Sequence, residues 1–172
     1  MSYNKLTSLV ANVEAIETAV KVHRQGRTAT MDEKEVLSRY SGFGGIREVQ
    51  DIGTDRAVAG NMAEPLNRLE KALRTLAGED ETVYRTLVES IKASVLTAFY
   101  TPRFLVDAVA RQIHDTFKAN GLQMRSFLEP SAGIGGFLPV AMPGTHSYAF
   151  EKDCITGLVL SLLHDETATL TA

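Results

Sequence analysis

Apolar residues recur at helical spacing through most of the first hundred positions of the chain. In the stretch from Asn4 to Gln25 they share one helix face, at Leu6, Leu9, Val10, Val13, Ile16 and Val20. Two later stretches show the same period, one with Leu66, Leu69, Leu73 and Leu76 and the other with Val83, Tyr84, Leu87, Val88 and Ile91. This spacing predicts amphipathic helices that each bury one face.

Residues with known cap preferences predict where several helices begin and end. Thr30 followed by Glu33 forms a capping-box pattern, which predicts a second helix that runs to about Tyr40. Pro65 predicts the beginning of the next helix and Gly78 its end. The first hundred residues are therefore expected to be helical.

Two stretches between these helices lack the helical period. The sequence "SGFGG", Ser41 to Gly45, is typical of a flexible link between helices. The alternative is a structured loop that packs against a ligand or DNA. The longer stretch from Arg47 to Ala63 contains further glycines and predicts a long loop.

The pattern changes after residue 100. Thr101 and Pro102 predict the N-cap and the first residue of a helix that ends at Asn120-Gly121. Its predicted inward residues are Leu105, Val106, Val109, Ile113 and Phe117. Strands are then predicted up to Leu128 and up to Glu151, with a very short helix between them, and "TATLTA" predicts the start of a third.

Asp153 is expected to cap a last helix between the second and third strands. Alternation of strands and helices indicates a parallel sheet with crossover helices. We expect an α/β fold, with a helical region over residues 1–96 and an incomplete Rossmann-like domain over 97–172.

Composition excludes several classes of protein. The chain has 172 residues, 44% of them hydrophobic, and a formal net charge of −3, so any DNA contact would be local. A single cysteine, Cys154, excludes an internal disulfide, and the histidines are too scattered to predict a metal site. No signal peptide or membrane-spanning run is evident, and a cytoplasmic location is expected.

The sequence "FLEPSAGIGGF", Phe127 to Phe137, follows the first predicted strand. Gly133 and Gly135 permit positive φ angles and a close approach of the backbone to a ligand at the carboxyl end of the sheet. Glu151 ends the next strand, where a carboxylate can accept hydrogen bonds from both hydroxyls of a ribose. These residues predict a nucleoside cofactor, and a plain strand-to-helix turn is the alternative.

Two positions favour one kind of nucleoside. Leu138 stands where the dinucleotide fingerprint has its third glycine, which disfavours a pyrophosphate. Glu129, directly before Pro130, would place a carboxylate beside a positively charged ligand. S-adenosylmethionine, which carries an ammonium and a sulfonium group, is the favoured ligand, and a nicotinamide cofactor is the weaker alternative.

Several segments of the chain, in their order, resemble the cofactor-binding half of N6-adenine DNA methyltransferases in which motif X precedes motif I. They are "YTP" at residues 100–102, "LEPSAGIGGF" at 128–137 and an apolar strand that ends in Glu151. "YSGFGGI" at 40–46 and "ITG" at 155–157 resemble segments of the large methylase-helicase proteins of phages, plasmids and conjugative elements. The resemblance covers roughly Val36 to the C-terminus.

The resemblance implies a role for each matching residue. Tyr100, Thr101 and Pro102 would be motif X and would contact the methionine end of the cofactor. Motif I would comprise Glu129, Pro130, Ser131, Ala132, Gly133, Ile134, Gly135 and Gly136. Within motif I, Glu129 would lie near the cofactor amino group. Glu151 would hold the ribose, and Lys152 to Ile155 would lie along the adenine edge.

The catalytic motif of adenine N6 methylation, (D/N)-P-P-(Y/F), is absent from the sequence, because none of the five prolines are adjacent. A cytosine C5 mechanism is excluded because no proline precedes Cys154. We expect an N-terminal piece of a methyltransferase, inactive alone, whether it is an excised piece, a truncated gene product or a split subunit. A non-catalytic nucleotide-binding or interaction module is the alternative.

Two partners follow from this interpretation. DNA would be reached through regions outside the chain or through a partner protein. The motif I strand would lack a neighbour, so a helix or a second copy of the chain, as a homodimer, is expected to cover the open sheet edge.

Overall fold

A computed structural model of the chain describes residues 4–54, 56, 60–165 and 167–171, with the backbone alone for 168–171. The α-helices in this part are α1 (Lys5–Arg24), α2 (Met31–Leu37), α3 (Ala63–Ala77), α4 (Glu81–Ser94), α5 (Arg103–Ala119) and α6 (Cys154–Leu163). The strands are β1 (Ser126–Glu129), β2 (His146–Glu151) and β3 (Ala168–Thr171). Short 3₁₀ helices span Arg47–Asp51, Gly60–Met62 and Leu138–Val140.

Side-chain caps fix the beginnings of α1, α2 and α4, and the one at α2 is predicted from the sequence. Helix α3 begins at Ala63, two residues before the predicted Pro65, and has no side-chain cap. The side chain of Asn4 accepts hydrogen bonds from two backbone N–H groups of α1. Thr30 and Glu33 form the predicted capping box at α2, and Asp80 caps α4. These caps are contacts between residues two or three positions apart, so they depend on local sequence.

The described part of the stretch from Arg47 to Ala63 is not the long loop that its composition predicts. Val49 and Ile52 are buried within and just after the 3₁₀ helix Arg47–Asp51, with relative exposures of 0% and 4%. Their spacing of three residues matches a 3₁₀ turn, which places both on one side. Residues 55 and 57–59 of this stretch lie outside the described part.

Helix α5 begins one residue later than predicted. Pro102 is the N-cap, with an extended ψ of 138°, and Arg103 is the first helical residue. No side chain accepts a hydrogen bond at this helix start, so the prediction that Thr101 caps α5 is wrong.

The buried face of α5 is also rotated from the predicted one. Val106 and Ala110 are buried, whereas Leu105 and Val109 are 46% and 42% exposed. The reason is that α5 packs its Val106–Ala110 side against Val140 of the 3₁₀ helix Leu138–Val140. The other two predicted inward residues, Ile113 and Phe117, are half-buried.

The three strands form a parallel sheet in the order β1-β2-β3. Glu129 of β1 is opposite Ala149 of β2, and Tyr148 of β2 is opposite Ala168 of β3. The third strand, predicted from "TATLTA" at residues 167–172, is present as β3, although residue 172 lies outside the described part. The chain is therefore mixed α/β and mostly helical, with a small parallel sheet, and no described helix is long and apolar enough to cross a membrane.

One hydrophobic core joins the N-terminal helices to α6. Phe43, Leu69 and Ile91 from the N-terminal part are buried in the same cluster as Ile155 and Val159 of α6. Helix α6 follows β2 directly, so the buried face of α6 holds one side of the sheet against the helices.

The opposite face of the sheet is exposed. Leu128 lies opposite Tyr148 in the parallel register, and Phe150 follows two residues later on the same face. These three side chains are 57%, 43% and 42% exposed, whereas Ala149 faces the other way and packs with Leu160 of α6. Parallel sheets are usually covered on both faces, so this apolar surface lacks the cover that such a sheet normally has.

Candidate functional site

A bend of two glycines turns the chain after β1. Gly133 and Gly135 have φ angles of 56° and 85°, as the sequence predicts, and Gly135 N–H donates to the carbonyl of Ala132 at 2.8 Å. The N–H of Ala132 in turn donates to the carbonyl of Phe150 in β2 at 2.8 Å. These bonds fix the bend at the carboxyl end of the sheet, where ligands of parallel sheets bind.

Protein side chains occupy the space next to two of the glycines. A Cβ on Gly133 would lie 2.8 Å from Cε1 of Tyr100, and a Cβ on Gly135 would lie 2.5 Å from Nε2 of His164. Internal packing therefore requires a glycine at both positions, which is a reason that the sequence alone does not give. Only at Gly136, of the three glycines in this segment, would a Cβ meet no atom within 4 Å.

The carboxylate of Glu151 lies directly at the glycine bend. Its Oε2 accepts a hydrogen bond from the N–H of Gly133 at 2.8 Å, and its Oε1 accepts one from the N–H of Asp153 at 2.8 Å. The structure thus brings together the two elements that the sequence pattern singles out, the glycine segment and the acid after the second strand.

Tyr100, in the segment before α5, packs its ring against the bend at Gly133. The residue as a whole is 38% exposed. Burial of the phenol end raises the pKa of Tyr100 well above its ordinary value, a hydrogen bond with Thr156 opposes this, and the negative charges of Glu151 and Asp153 raise it further. The hydroxyl therefore stays protonated and can act as a hydrogen-bond donor.

Glu129, at the end of β1, is a half-buried carboxylate. Burial raises its pKa, and a hydrogen bond from the backbone of Ser131 partly opposes that shift. In the part of the chain that the structure describes, no lysine, arginine or histidine forms an ion pair with it. A cationic ligand would therefore stabilise its charged form.

The remaining predicted site residues lie around this centre with different exposures. Exposed positions are Thr101 and Pro102 before α5, Pro130 and Ser131 after β1, and Lys152 after β2. Ile134 is half-buried, and its carbonyl faces Nε2 of His164 at 3.0 Å. Ile155, predicted to lie near the adenine edge, is 1% exposed and belongs to the hydrophobic core, so its side chain is not available there.

Two residues that the sequence does not single out, Ser90 and His164, contact the site through the fold. Ser90 of α4 donates to Asp153, whose other oxygen caps α6 at Thr156. His164 contacts the bend, as described above. No local pattern marks these two residues, because their partners are distant in sequence. Thr156 of the "ITG" segment bonds to Tyr40 of the "YSGFGGI" segment at 3.3 Å between hydroxyl oxygens.

The "YSGFGG" segment is a structured loop, not a flexible link. Phe43 and Ile46 are fully buried and Tyr40 is 2% exposed, with the rings of Tyr40 and Phe43 in an edge-on contact. The preferred interpretation from composition is therefore wrong. The buried side chains of Tyr40, Phe43 and Ile46 hold this segment in one conformation, although its glycines suggest flexibility.

Basic residues at the end of α1 form ordinary ion pairs and line a separate cleft. Arg27 and Lys21 both bond to Glu33, at 2.7 Å and 3.1 Å. A cleft of about 560 Å³ lies between α1 and α3, and residues of both helices line it, among them Arg24 and Lys71. Lys21 and Arg24 lie in the last turn of α1, where cations balance the helix dipole.

Comparison of the chain with protein families, with curated proteins and with solved structures finds no match.

Proposed function

We propose that this chain binds S-adenosylmethionine and forms the cofactor-binding part of a DNA adenine N6-methyltransferase. The observation that supports this most directly is the 2.8 Å hydrogen bond from the Gly133 N–H to the carboxylate of Glu151. It unites the glycine bend after one parallel strand with the acid after the next, which is the arrangement of a ribose-binding carboxylate.

Glu151 keeps capacity for a ligand. A carboxylate has about four acceptor sites, and each oxygen of Glu151 uses one of them for a backbone N–H. The remaining lone pairs can accept from the two hydroxyls of a ribose. The two backbone bonds also hold the carboxylate in a fixed orientation, so less conformational entropy is lost on binding.

Glu129 supports the choice of a cationic nucleoside. Its carboxylate is partly desolvated and has no ion-pair partner among the described residues, which suits the ammonium group of a methionine moiety. A pyrophosphate at the glycine bend would instead be repelled by Glu129. The site residues therefore fit S-adenosylmethionine better than a nicotinamide dinucleotide.

Each motif residue then has a defined task. Glu151 orients the ribose, Glu129 holds the amino group, and the ring of Tyr100 packs over the bend beside them. When bound, the cofactor would supply an activated methyl group. The sequence contains no (D/N)-P-P-(Y/F) motif for the target adenine, so we propose that this chain binds the cofactor without transferring the methyl group by itself.

The absence of a (D/N)-P-P-(Y/F) motif also supports a second candidate function, a non-catalytic nucleotide-binding or interaction module. A methyltransferase part would contact DNA together with other regions or a partner protein, whereas the non-catalytic module would not contact DNA. Methylation assays on adenine-containing duplex DNA, with the chain alone and with any longer product of the same gene, separate the two.

Calorimetric titration with S-adenosylhomocysteine and, separately, with NAD tests the binding proposal. We expect saturable one-to-one binding of S-adenosylhomocysteine and much weaker binding of NAD. The variant Glu151→Gln should bind at least about tenfold more weakly, since it loses a charged acceptor, whereas Glu89→Gln on the exposed side of α4 should bind normally. Absence of binding by the folded wild-type chain would overturn the proposal.

A further inference from the structure

The loop formed by residues 40–46, here the Tyr40–Ile46 loop, is anchored by a fully buried asparagine. Nδ2 of Asn12 in α1 donates to the carbonyl of Gly42 at 2.6 Å. Oδ1 of the same side chain accepts from the N–H of Ser41 at 2.8 Å. One amide therefore satisfies two backbone groups of the loop in a buried site.

Gly42 and Gly44 of the loop pack closely against Ala98, in the segment that precedes Tyr100. A Cβ on Gly42 would lie 2.6 Å from Cβ of Ala98 and 3.4 Å from the hydroxyl oxygen of Tyr100. A Cβ on Gly44 would collide with the backbone of Ala98, and the N–H of Gly45 donates to the carbonyl of Val95 at 3.0 Å. Any side chain at Gly42 or Gly44 would displace this segment.

Tyr100 is therefore flanked on two sides, and its hydroxyl also hydrogen-bonds with Thr156. Gly42 of the Tyr40–Ile46 loop lies beside the hydroxyl end and Gly133 beside the ring edge at Cε1 and Cδ1, because a Cβ on either glycine would fall within 3.4 Å of those atoms. A second connection runs beside this one, because the hydroxyl of Tyr40 bonds to Thr156 at the start of α6. The position of the Tyr100 ring over the bend thus depends on a loop from the helical region.

We propose that the Tyr40–Ile46 loop is a positioning element of the cofactor site, which sets cofactor affinity by holding Tyr100 over Gly133. This inference rests on the proposed function. It assigns to the N-terminal helical region a direct part in binding, with Asn12 and Gly42 acting through Tyr100.

The chain offers a matched pair of variants for this test. Gly42 and Gly45 lie in the same loop and have φ angles of 70° and 75°. An alanine at either position would carry similar backbone strain. Only at Gly42 would the new methyl group meet Ala98, because a Cβ on Gly45 would have no atom within 4 Å.

The experiment measures S-adenosylhomocysteine binding by calorimetry for the wild type, Gly42→Ala and Gly45→Ala. We expect Gly42→Ala to weaken binding about tenfold, since overpacking of a tight contact costs that much, and Gly45→Ala to change affinity less than about twofold. Adding Ala98→Gly to Gly42→Ala removes the methyl contact and should restore the wild-type affinity.

A ligand-free measurement reports the position of Tyr100 directly. In protein with ¹³C-labelled tyrosine rings, the Tyr100 resonance, assigned with Tyr100→Phe, should shift in Gly42→Ala and stay in place in Gly45→Ala. A general loss of stability would not produce that difference.

Three results would overturn the inference. Equal weakening by the two glycine variants, or an unmoved Tyr100 resonance in Gly42→Ala, would overturn it while the proposed function stands. No binding of S-adenosylhomocysteine by the wild-type chain would overturn both, and the two kinds of failure are thereby distinguished.

Discussion

The ring of Tyr100 lies against the α-carbon of Gly133, so closely that a Cβ on the glycine would be 2.8 Å from Cε1 of the ring. This contact joins the segment before α5 to the bend after β1. It also explains why a glycine is needed at this position, since both the φ of 56° and the ring exclude a side chain.

The first prediction concerns that contact. Gly133→Ala should lower the free energy of unfolding by about 2–4 kcal/mol, because about 1 kcal/mol of backbone strain adds to about 1–3 kcal/mol from pushing on Tyr100. Gly144→Ala is the control, because Gly144 has a φ of 82° and a Cβ there would meet no atom within 4 Å. That control should cost only about 1 kcal/mol from backbone strain. Urea unfolding compares the two, and equal losses would contradict the packing argument.

The second prediction concerns Asn12, whose side chain holds the Tyr40–Ile46 loop. Asn12→Ala leaves the Gly42 carbonyl and the Ser41 N–H without their buried partner, so it should cost about 1–3 kcal/mol. The same substitution at Asn67, exposed on α3, should change stability by less than about 0.5 kcal/mol. Chemical unfolding of both variants checks this. An Asn12→Ala protein as stable as Asn67→Ala would show that the loop does not need its anchor.

The third prediction is a loss of stability in mild acid that depends on His164. Burial lowers the pKa of this imidazole, and nearby Lys34 lowers it further, although the Ile134 carbonyl and Asp165 act in the opposite direction. The unfolded chain therefore binds the proton more readily. The stability that His164 contributes is fully present above about pH 6.5 and is lost as the pH falls through its folded-state pKa.

Thermal melts between neutral and mildly acidic pH test whether this stability is lost as the pH falls. His164→Gln should show a shallower decrease in melting temperature than the wild type as the pH falls. His23→Gln, which removes an exposed histidine from α1, is the matched control. The same slope in the wild type and His164→Gln would show that His164 does not contribute to the acid sensitivity.

The fourth prediction concerns the open face and edge of the sheet. Leu128 is 57% exposed in β1, and among the described residues no strand pairs with the outer edge of β1. We expect the chain to self-associate there, and Leu128→Lys should reduce that association with little change in stability, because a lysine on an edge strand opposes pairing. Met31→Lys, at a 79% exposed position on α2, should leave self-association unchanged.

Sedimentation velocity over a range of concentrations measures this association. A wild-type chain that stays monomeric at all concentrations would contradict the prediction of a homodimer. Equal effects of the two lysine variants would show that association uses another surface.

Sequence patterns located most of the elements because the forces that define them are local. The capping box of Thr30 and Glu33 and the cap of α6 by Asp153 act within three residues, and their helices begin where predicted. The bend at Gly133 and Gly135 and its meeting with Glu151 follow from strand alternation, since the carboxyl ends of parallel strands share one edge.

Packing between distant segments decided what the sequence could not. The Tyr40–Ile46 loop has the composition of a flexible link, yet Phe43 and Ile46 are buried and Asn12 holds the backbone. The buried face of α5 is set by Val140, far along the chain. Local sequence thus determined the elements and the bend, whereas tertiary contacts placed Tyr100 on Gly133, because the free energy of such contacts depends on neighbours that only the complete fold brings together.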